Sequence, residues 1–360
     1  MRVKLKDITK FSKGTQINGK NLIDDGAYSY LNGGINPSGK WNEFNVAENT
    51  VTISEGGNSS GYVNYMNKAF WCGAHCYYLY DGPKNSKYLY YALKSQQERL
   101  FRIRSGACMP NIKKSDLGNF IIEYEKDEVR QEEVVKVLEK CELLIEDYNK
   151  KLTLLDEAVR ARFVEMFGDP VDNPMNWKKK KLKDIVTEDC TISYGIVQTG
   201  EEQKEGIPVF RPVDIVNHTP KVEELKKTTE FISDRYKKTL LKGHELLITV
   251  RANIADTFIA DKEFMGCNVG RGIVPIRTQE DIMRLEFLKC LIDNRHLNDI
   301  LKSKAKGITL IQLNMEDLRN VELIIPPIDL QIDYLKYSSL IDKSRLLSNH
   351  SLLLLKSIIF

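Results

Sequence analysis

Two kinds of pattern alternate along the chain. Short runs of β-branched and apolar residues, such as 50–53 and 246–250, are separated by clusters of Gly, Asn and Pro, and they predict strands joined by turns. Late in each half, near 88–102 and near 285–302, the pattern predicts a helix, which is followed by a Gly-containing loop and a final strand. The mixture predicts an α/β or α+β fold for each half.

A long stretch without Gly or Pro runs from 127 to 167. Its apolar residues recur in steps of four and three, which is typical of a coiled-coil seam. They are Val134, Leu138, Cys141, Ile145, Tyr148, Leu152, Leu155 and Val159. A helix of about 40 residues would extend for about 60 Å, so we expect it to connect or project rather than to lie inside one domain.

A second long helix is predicted after Pro326 and Pro327, because Pro suits a helix entry. Gln131 opens the first long helix and Gln331 opens the second. Aligned on these glutamines, the apolar seam of the second helix consists of Leu335, Ile341, Leu352, Leu355 and Ile359, with the polar Ser338, Arg345 and Ser348 in its middle. The two seams could pack against each other, against partner helices or into the domain cores.

The two halves of the chain repeat the same features in the same order. The tetrapeptide at 5–8 recurs at 182–185, and the segment 106–117 recurs in its spacing at 307–318. Because a shared order is a stronger signal than any single match, the chain is predicted to be duplicated. The predicted division is domain 1 over 1–126, a long helix over 127–168, domain 2 over 169–326 and a second long helix over 327–360.

Composition fits a soluble protein of about two domains. Of the 360 residues, 42% are hydrophobic and 29% are charged, and the net charge is only +3. No run approaches the ~18 apolar residues of a membrane span. The seven cysteines are scattered and odd in number, which favours a reducing compartment, and we expect the cytoplasm.

The sequence lacks a recognisable catalytic constellation. The segment 34–40 has the glycine and lysine spacing of a phosphate-binding loop, but Trp41 follows where Ser or Thr should hold magnesium. The segment 173–176 begins like the Asn-Pro-Pro-aromatic motif of amino-methyltransferases but lacks the second proline and the aromatic residue. The Cys and His residues of 72–76 lack the paired ligand spacing of a zinc site. We therefore predict no catalytic residue, metal or cofactor in this chain.

Polar loops follow a buried strand at the same place in each half. In the first half the loop contains Asn58, Ser59, Ser60 and Tyr62. In the second half the matching residues are Thr249, Arg251 and Asn253. Asn and Arg side chains pair adenine and guanine in bidentate fashion, so these loops predict contacts to DNA bases. A solvated turn is the alternative.

Basic residues follow the late helix of each half and could neutralise phosphates. Cations also favour helix C-termini without any ligand, so a charged helix end is the alternative. The whole predicted DNA-binding set is Lys13, Asn32, Lys40, Trp41, Asn58, Ser59, Ser60, Tyr62, Arg102, Arg104, Lys113, Arg211, Thr249, Arg251, Asn253, Arg271, Lys304 and Lys306.

Several of these segments together resemble the specificity subunit of type I restriction-modification systems. They are the linker 167–177, the two prolines and following residues of 326–331, and the loops 53–63 and 307–318. Each is moderately specific alone, and their common order makes the resemblance strong. It covers essentially the full length of the chain.

The resemblance implies a pseudo-twofold repeat of two target recognition domains, separated by two long, antiparallel coiled-coil helices. Each recognition domain would read one half of a split sequence in double-stranded DNA, and the helices would set the spacing. It also implies two methyltransferase subunits docked on the helices, which supply S-adenosylmethionine chemistry on adenine. Restriction or translocase subunits would join that complex. No catalytic residue is implied for this chain.

The chain departs from the family pattern at two places. At 123–126 it has Glu-Tyr-Glu-Lys instead of a proline pair, and its second long helix stops early, at Phe360. Two alternatives therefore stay open beside the specificity subunit. One is a DNA-modifying enzyme whose motif is not recognisable, and the other is a coiled-coil assembly protein that does not touch DNA.

Overall fold

The chain forms two compact units in a computed structural model that describes residues 1–106, 108–216, 220–307 and 311–359. Unit 1 comprises Met1–Thr153 and Leu346–Phe360, and unit 2 comprises Leu154–Arg345. Each long helix begins in one unit and ends in the other, so the four predicted domain boundaries stay predictions. The predicted end of the second helix at Phe360 lies outside the described residues.

Unit 1 is built on a larger and a smaller sheet, and a third sheet has only two strands. Its strands are β1 (Arg2–Lys4), β2 (Lys10–Lys13), β3 (Tyr28–Leu31), β4 (Gly39–Trp41), β5 (Thr50–Ser54), β6 (Val63–Met66), β7 (Phe70–Cys72), β8 (Cys76–Tyr80) and β9 (Ile121–Glu123). Its helices are α1 (Ser86–Lys94), α2 (Gln97–Arg102), α3 (Lys114–Gly118), the first part of α4 (Glu128–Phe167) and the short 3-10 helices Leu5–Asp7 and Gly19–Asn21. The larger sheet has the antiparallel order β2-β8-β5-β6, and in the smaller sheet β4-β3-β7 the strands β3 and β7 run parallel. The apolar side chains between the larger sheet and α1 and α2, among them Ile53, Val63, Leu89 and Leu100, are fully buried.

Unit 2 repeats this plan. Its strands are β10 (Lys179–Lys181), β11 (Ile207–Phe210), β12 (Lys226–Thr228), β13 (Glu245–Arg251), β14 (Asn253–Ala260), β15 (Asn268–Val269), β16 (Ile273–Ile276) and β17 (Glu322–Ile324). Its helices are α5 (Pro212–Val216), α6 (Glu230–Asp234), α7 (Leu285–Asp293), α8 (Arg295–Lys304), α9 (Met315–Arg319), the first part of α10 (Ile328–Ile359) and the 3-10 helices Leu182–Asp184, Val222–Glu224, Lys237–Thr239 and Lys262–Phe264. The two three-stranded sheets have the orders β14-β13-β16 and β12-β11-β15, and β11 and β15 run parallel; β10 and β17 form a third sheet.

The same backbone contacts recur in both units. In unit 1, β1 pairs with β9 and the Leu5 N–H donates to the Phe120 carbonyl at 2.9 Å. In unit 2, β10 pairs with β17 and the Leu182 N–H donates to the Val321 carbonyl, also at 2.9 Å. The central strands β5 and β13 each lie between two antiparallel neighbours. The repeated tetrapeptides therefore begin the same local structure in each unit.

The late helix of each half is broken in two, which the sequence pattern did not predict. In unit 2 the break falls at Asn294, whose backbone is extended between α7 and α8. Its side-chain oxygen accepts from the N–H groups of His296 at 3.0 Å and Leu297 at 3.4 Å, so it caps the second helix. In unit 1 the corresponding break lies between α1 and α2.

The long helices α4 and α10 pack through their seams within each unit. In unit 1, Leu138 and Ile145 of α4 join one cluster with Leu355 and Ile359 of α10. In unit 2, the ring of Tyr334 lies 5.5 Å from that of Phe163.

Their chain directions follow from unit 2 alone. Phe167 contacts Tyr334, Arg162 lies over Tyr337, and Asp156 pairs with Arg345, so residue numbers fall along α4 as they rise along α10. The helices are antiparallel there. Among the other predicted seam residues, Leu352 is buried, and Leu152, Leu155, Leu335 and Ile341 are half-buried.

The predicted seam position of Val134 is wrong. Its side chain is 42% exposed, and Val135 packs against the seam cluster instead. The reason is that the polar Gln131 is buried at the start of α4 and takes a seam position, so the next apolar position falls four residues later. The predicted polar middle of α10 is present, because Ser348 is buried and Arg345 pairs with Asp156.

Buried glutamines open both long helices. The Gln131 amide donates to the Glu125 carbonyl at 2.7 Å. The Gln331 amide donates to the carbonyls of Pro326 at 2.9 Å and Ile282 at 3.1 Å, and its oxygen accepts from the Arg284 N–H at 3.0 Å. Each glutamine therefore connects the start of its helix to the loop before it.

Every described helix is too short or too polar to cross a membrane.

Replacing Gln331 with Ala should destabilise unit 2. The loss leaves buried backbone groups without partners, and we expect the free energy of unfolding to fall by about 1–3 kcal/mol. In a Trp41→Phe, Trp71→Phe background, the fluorescence of Trp177 in unit 2 would follow urea unfolding. Lys336→Ala on the surface of α10 is the control and should change stability by no more than about 0.5 kcal/mol. Equal losses in both variants would contradict this role of Gln331.

Candidate nucleic-acid interface

In unit 1 the two predicted DNA-binding loops are joined by backbone pairing. The loop between β5 and β6 meets the loop that follows α2 through Asn111, which bridges to both Gly56 and Ser105. The N–H groups of Ser105 and Asn111 each donate to the other's carbonyl at 2.8 Å. The Ile112 N–H donates to the Glu55 carbonyl at 2.9 Å. The polar loop and the basic loop therefore form one surface.

Unit 2 has the same arrangement with different side chains. Gln312 bridges to both Arg251 and Lys306. The Lys306 and Gln312 N–H groups donate to each other's carbonyls at 2.9 Å, and the Leu313 N–H donates to the Val250 carbonyl at 2.9 Å. Two loops that the sequence predicted separately are thus brought together in each unit.

Asn111 and Gln312 are the residues that sequence reasoning missed. Each lies midway through a repeated segment, between Gly106 and Asp116 in one half and between Gly307 and Asp317 in the other. An amide side chain at the same place in both copies was the signal that could have found them. Asn111 is exposed and Gln312 is half-buried.

Asn58 and Arg104 lie side by side in unit 1. Asn58 is exposed, and its carbonyl accepts from Arg104 Nη1 at 3.2 Å. Arg104 also stacks over the ring of Phe101, with 4.7 Å between the guanidinium carbon and the ring centroid. These contacts hold the guanidinium beside the Asn58 loop, so the arginine and the asparagine face one ligand surface.

A small ion cluster borders this loop. The Glu55 carboxylate accepts from Lys13 Nζ at 2.6 Å and lies 3.4 Å from His75 Nδ1. The backbone N–H of His75 donates to the Asn32 side chain at 3.3 Å. Lys13 is therefore exposed but already paired, and Asn32 holds the neighbouring backbone.

Two predicted serine contacts belong to the loop's own structure. Ser60 is fully buried and donates to the Glu55 carbonyl at 2.8 Å, so the prediction that it contacts DNA is wrong. Ser59 is half-buried and donates to the Gly33 carbonyl at 2.6 Å. Both hydroxyls satisfy backbone acceptors that a tight loop would otherwise leave unpaired.

Lys94 lies beneath the same loop, with Nζ 3.7 Å from the centroid of the Tyr62 ring. Its ammonium donates to the Val63 carbonyl at 3.1 Å. Burial lowers the pKa of Lys94 to about 8. Tyr62 is half-buried because its ring packs on the Lys94 side chain, and only part of the ring is open to a ligand.

Three arginines gather around Gly270 and Gly272 in unit 2. The Gly272 carbonyl accepts from the Val250 N–H at 2.8 Å, which places Arg251 beside it, and Arg271 lies exposed between the two glycines. The Gly270 N–H donates to the Phe210 carbonyl at 2.8 Å, which brings Arg211 near. The three arginines therefore belong to neighbouring segments of unit 2.

The three arginines differ in what they already bind. The Arg211 guanidinium holds Asp214 through Nε at 3.0 Å and Nη2 at 2.6 Å, and this hydrogen-bonded carboxylate raises the pKa of Arg211. Arg251 Nε is buried and has no hydrogen-bond partner among the residues that the structure describes. Arg211 is therefore already paired with a carboxylate, whereas Arg251 is half-buried and its buried Nε has no described partner.

The predicted DNA contact of Thr249 is wrong. Its side chain is fully buried, and Oγ1 accepts from the Asp256 N–H at 2.9 Å where the register of β13 and β14 shifts. The threonine satisfies an N–H that the bulge removes from the ladder. Asn253, at the tip of the hairpin beyond Ala252, is exposed.

The remaining candidates stay predictions. Arg102, Lys113 and Lys304 are exposed. Lys40 and Trp41 lie on β4 in the smaller sheet, where the Trp41 ring meets that of Trp71 at 6.4 Å.

The chain belongs to the family of type I restriction modification DNA specificity domains, whose family model matches residues 1–155 and 174–349. The resemblance inferred from the sequence and the predicted fold class are confirmed. A Mycoplasma pneumoniae protein named as a type I specificity subunit is 38% identical over 197 residues, which cover 54% of this chain and 51% of that protein. The EcoBI specificity subunit of Escherichia coli is 24% identical over 217 residues, which cover 60% of this chain and 46% of that subunit.

The chain spans about half the length of these curated relatives. A crystal structure of the S subunit of a type I restriction-modification system from M. genitalium has the same fold. Its TM-score is 0.62 at 19% identity, with 100% of this chain and 93% of that one covered. Together these similarities establish the family and the fold.

Replacing Thr249 with Val should destabilise unit 2 rather than act on a ligand directly. Val has the same shape but leaves the Asp256 N–H unpaired, so we expect a loss of about 1–3 kcal/mol in the free energy of unfolding. Urea unfolding followed by Trp177 fluorescence would measure it. Asn253→Ala at the exposed hairpin tip is the matched control and should stay within about 0.5 kcal/mol. A Thr249→Val variant as stable as the control would contradict this structural role of Thr249.

Proposed function

We propose that this chain is the non-catalytic DNA sequence-recognition subunit of a type I restriction-modification complex, and that each unit reads one half of a split target. The observation that carries the proposal is the repeated loop pair. Asn111 and Gln312 join the same two loops in each unit, while the side chains around them differ. One frame with two sets of side chains is suited to two different half-sites.

The side chains suggest how each half would be read. Gln312 bridges to Arg251 and Lys306, Arg271 is exposed in the same unit, and arginine pairs guanine through two parallel hydrogen bonds. Around Asn111 lie Asn58 and Arg104, and asparagine pairs adenine in the same way. We propose that unit 2 favours guanine and that unit 1 favours adenine among its contacted bases.

The partners follow from the helices. The outer side of α10 exposes Leu346, Leu347, Leu353 and Leu354 to between 54% and 72%. Exposed apolar patches of this kind mark protein interaction sites. We propose that two methyltransferase subunits dock on the long helices and bring S-adenosylmethionine, and that restriction or translocase subunits join that complex. This chain then needs no cofactor of its own.

A selection from random double-stranded DNA tests the proposal. The chain, assembled with its methyltransferase subunits, should enrich two short defined sequences separated by a gap of fixed length. An assembly protein that does not read DNA would enrich nothing in the same complex. Methyl transfer or DNA cleavage by the isolated chain would instead support the enzyme alternative.

Arg251→Ala should weaken one half-site only. Loss of a bidentate base contact costs about 1–3 kcal/mol of binding and relaxes preference at one base. Competition binding with DNAs altered in one half at a time would measure it. Arg295→Ala removes the same charge from a side chain that is 96% exposed, and it should leave half-site preference unchanged. A uniform loss over all sequences would mean that Arg251 contacts phosphate only.

A further inference from the structure

One hydrogen bond from the broken helix to the DNA-facing hairpin occurs in both units. In unit 1, Gln97 of α2 donates through Nε2 to the Gly61 carbonyl at 2.7 Å. In unit 2, Asn298 of α8 donates through Nδ2 to the Ala255 carbonyl at 3.0 Å. In each case a side-chain amide holds the backbone where the hairpin returns to the sheet.

The two acceptor residues occupy equivalent places in the sheets. Ile53 pairs with Val63 in unit 1, and Ile248 pairs with Thr257 in unit 2. Gly61 lies two residues before Val63, and Ala255 lies two residues before Thr257. Both acceptors have a positive φ, of 86° and 62°. A non-glycine residue rarely adopts this conformation, so the surroundings of Ala255 must hold it there.

The strand residue two positions after each acceptor is held as well. Lys94, the last residue of α1, donates to the Val63 carbonyl at 3.1 Å. Asp293, the last residue of α7, accepts from the Thr257 hydroxyl at 2.5 Å. Gln97 adds a second bond in unit 1, because its oxygen accepts from the Val63 N–H at 3.0 Å. Different side chains thus fix the same point of the hairpin.

The amides come from different places in their helices. Gln97 is the first residue of α2, whereas Asn298 is the fourth residue of α8. The same contact therefore occurs in both units, although the donor differs in its position along the helix and in its side-chain length. A repeated contact with changed donors indicates that the hairpin position itself is what each unit requires.

We infer that Gln97 and Asn298 are positioning residues that set half-site specificity by fixing the hairpin against the broken helix; this rests on the proposed function. Each acceptor lies between the sheet and the exposed Asn58 or Asn253. Contacts that read bases need side chains placed to about 0.5 Å. Without the amide the hairpin can shift. We expect this shift to reduce base preference before it weakens phosphate contacts.

Selection from random DNA with variant complexes tests this inference. Gln97→Ala should lower base preference about tenfold in one half of the split motif, the scale of one good base contact, and leave the other half intact. Asn298→Ala should do the converse. Gln97→Glu keeps the acceptor for the Val63 N–H but loses the donor to Gly61, so it should behave like Gln97→Ala even if the alanine variant folds poorly.

The controls are glutamine and asparagine side chains that bond elsewhere. Gln96 bonds Arg99, and Asn320 bonds Glu316, so alanine at either position should leave the motif unchanged. An unchanged motif in Gln97→Glu and Asn298→Ala, or parallel losses in both halves, would overturn the inference. A wild-type complex that enriches no split motif would instead refute the proposed function.

Discussion

The backbone pairing of two loops in each unit is the constraint on which the candidate interface depends. Surface loops commonly leave backbone groups to water. Here the hairpin after the central strand and the loop after the broken helix satisfy each other's N–H and carbonyl groups through Asn111 in unit 1 and Gln312 in unit 2. The pairing fixes which side chains lie next to one another. Two segments far apart in sequence thereby become one polar and basic surface.

That constraint divides the polar side chains into two groups. Some of them build the loops, as Ser60 does for the Glu55 carbonyl and Thr249 does for the Asp256 N–H. Others, such as Asn58 and Asn253, are exposed on the loops. The division explains how a duplicated frame can keep its shape while its ligand-facing residues diverge. Backbone groups and buried hydroxyls build the frame, and the exposed polar side chains are left to contact a ligand.

The sequence predicts the repeated frame well because its signals are local. Strand runs, the coiled-coil spacing and the order of repeated segments all depend on neighbours in the chain, and they led to the central strands, the long helices and the family. The seam phase failed at Val134 because a polar residue, Gln131, occupies a buried seam position. The burial of Ser60 and Thr249 and the pairing of Asn111 depend on contacts between distant segments, which residue type alone does not encode.

The proposed function is best tested by mapping methylated adenines in the DNA of a host that carries this chain together with the proposed methyltransferase subunits. We expect one split motif, with two defined halves and a gap of constant length, that disappears when this chain is removed. A contiguous motif, or methylation that persists unchanged without the chain, would contradict it.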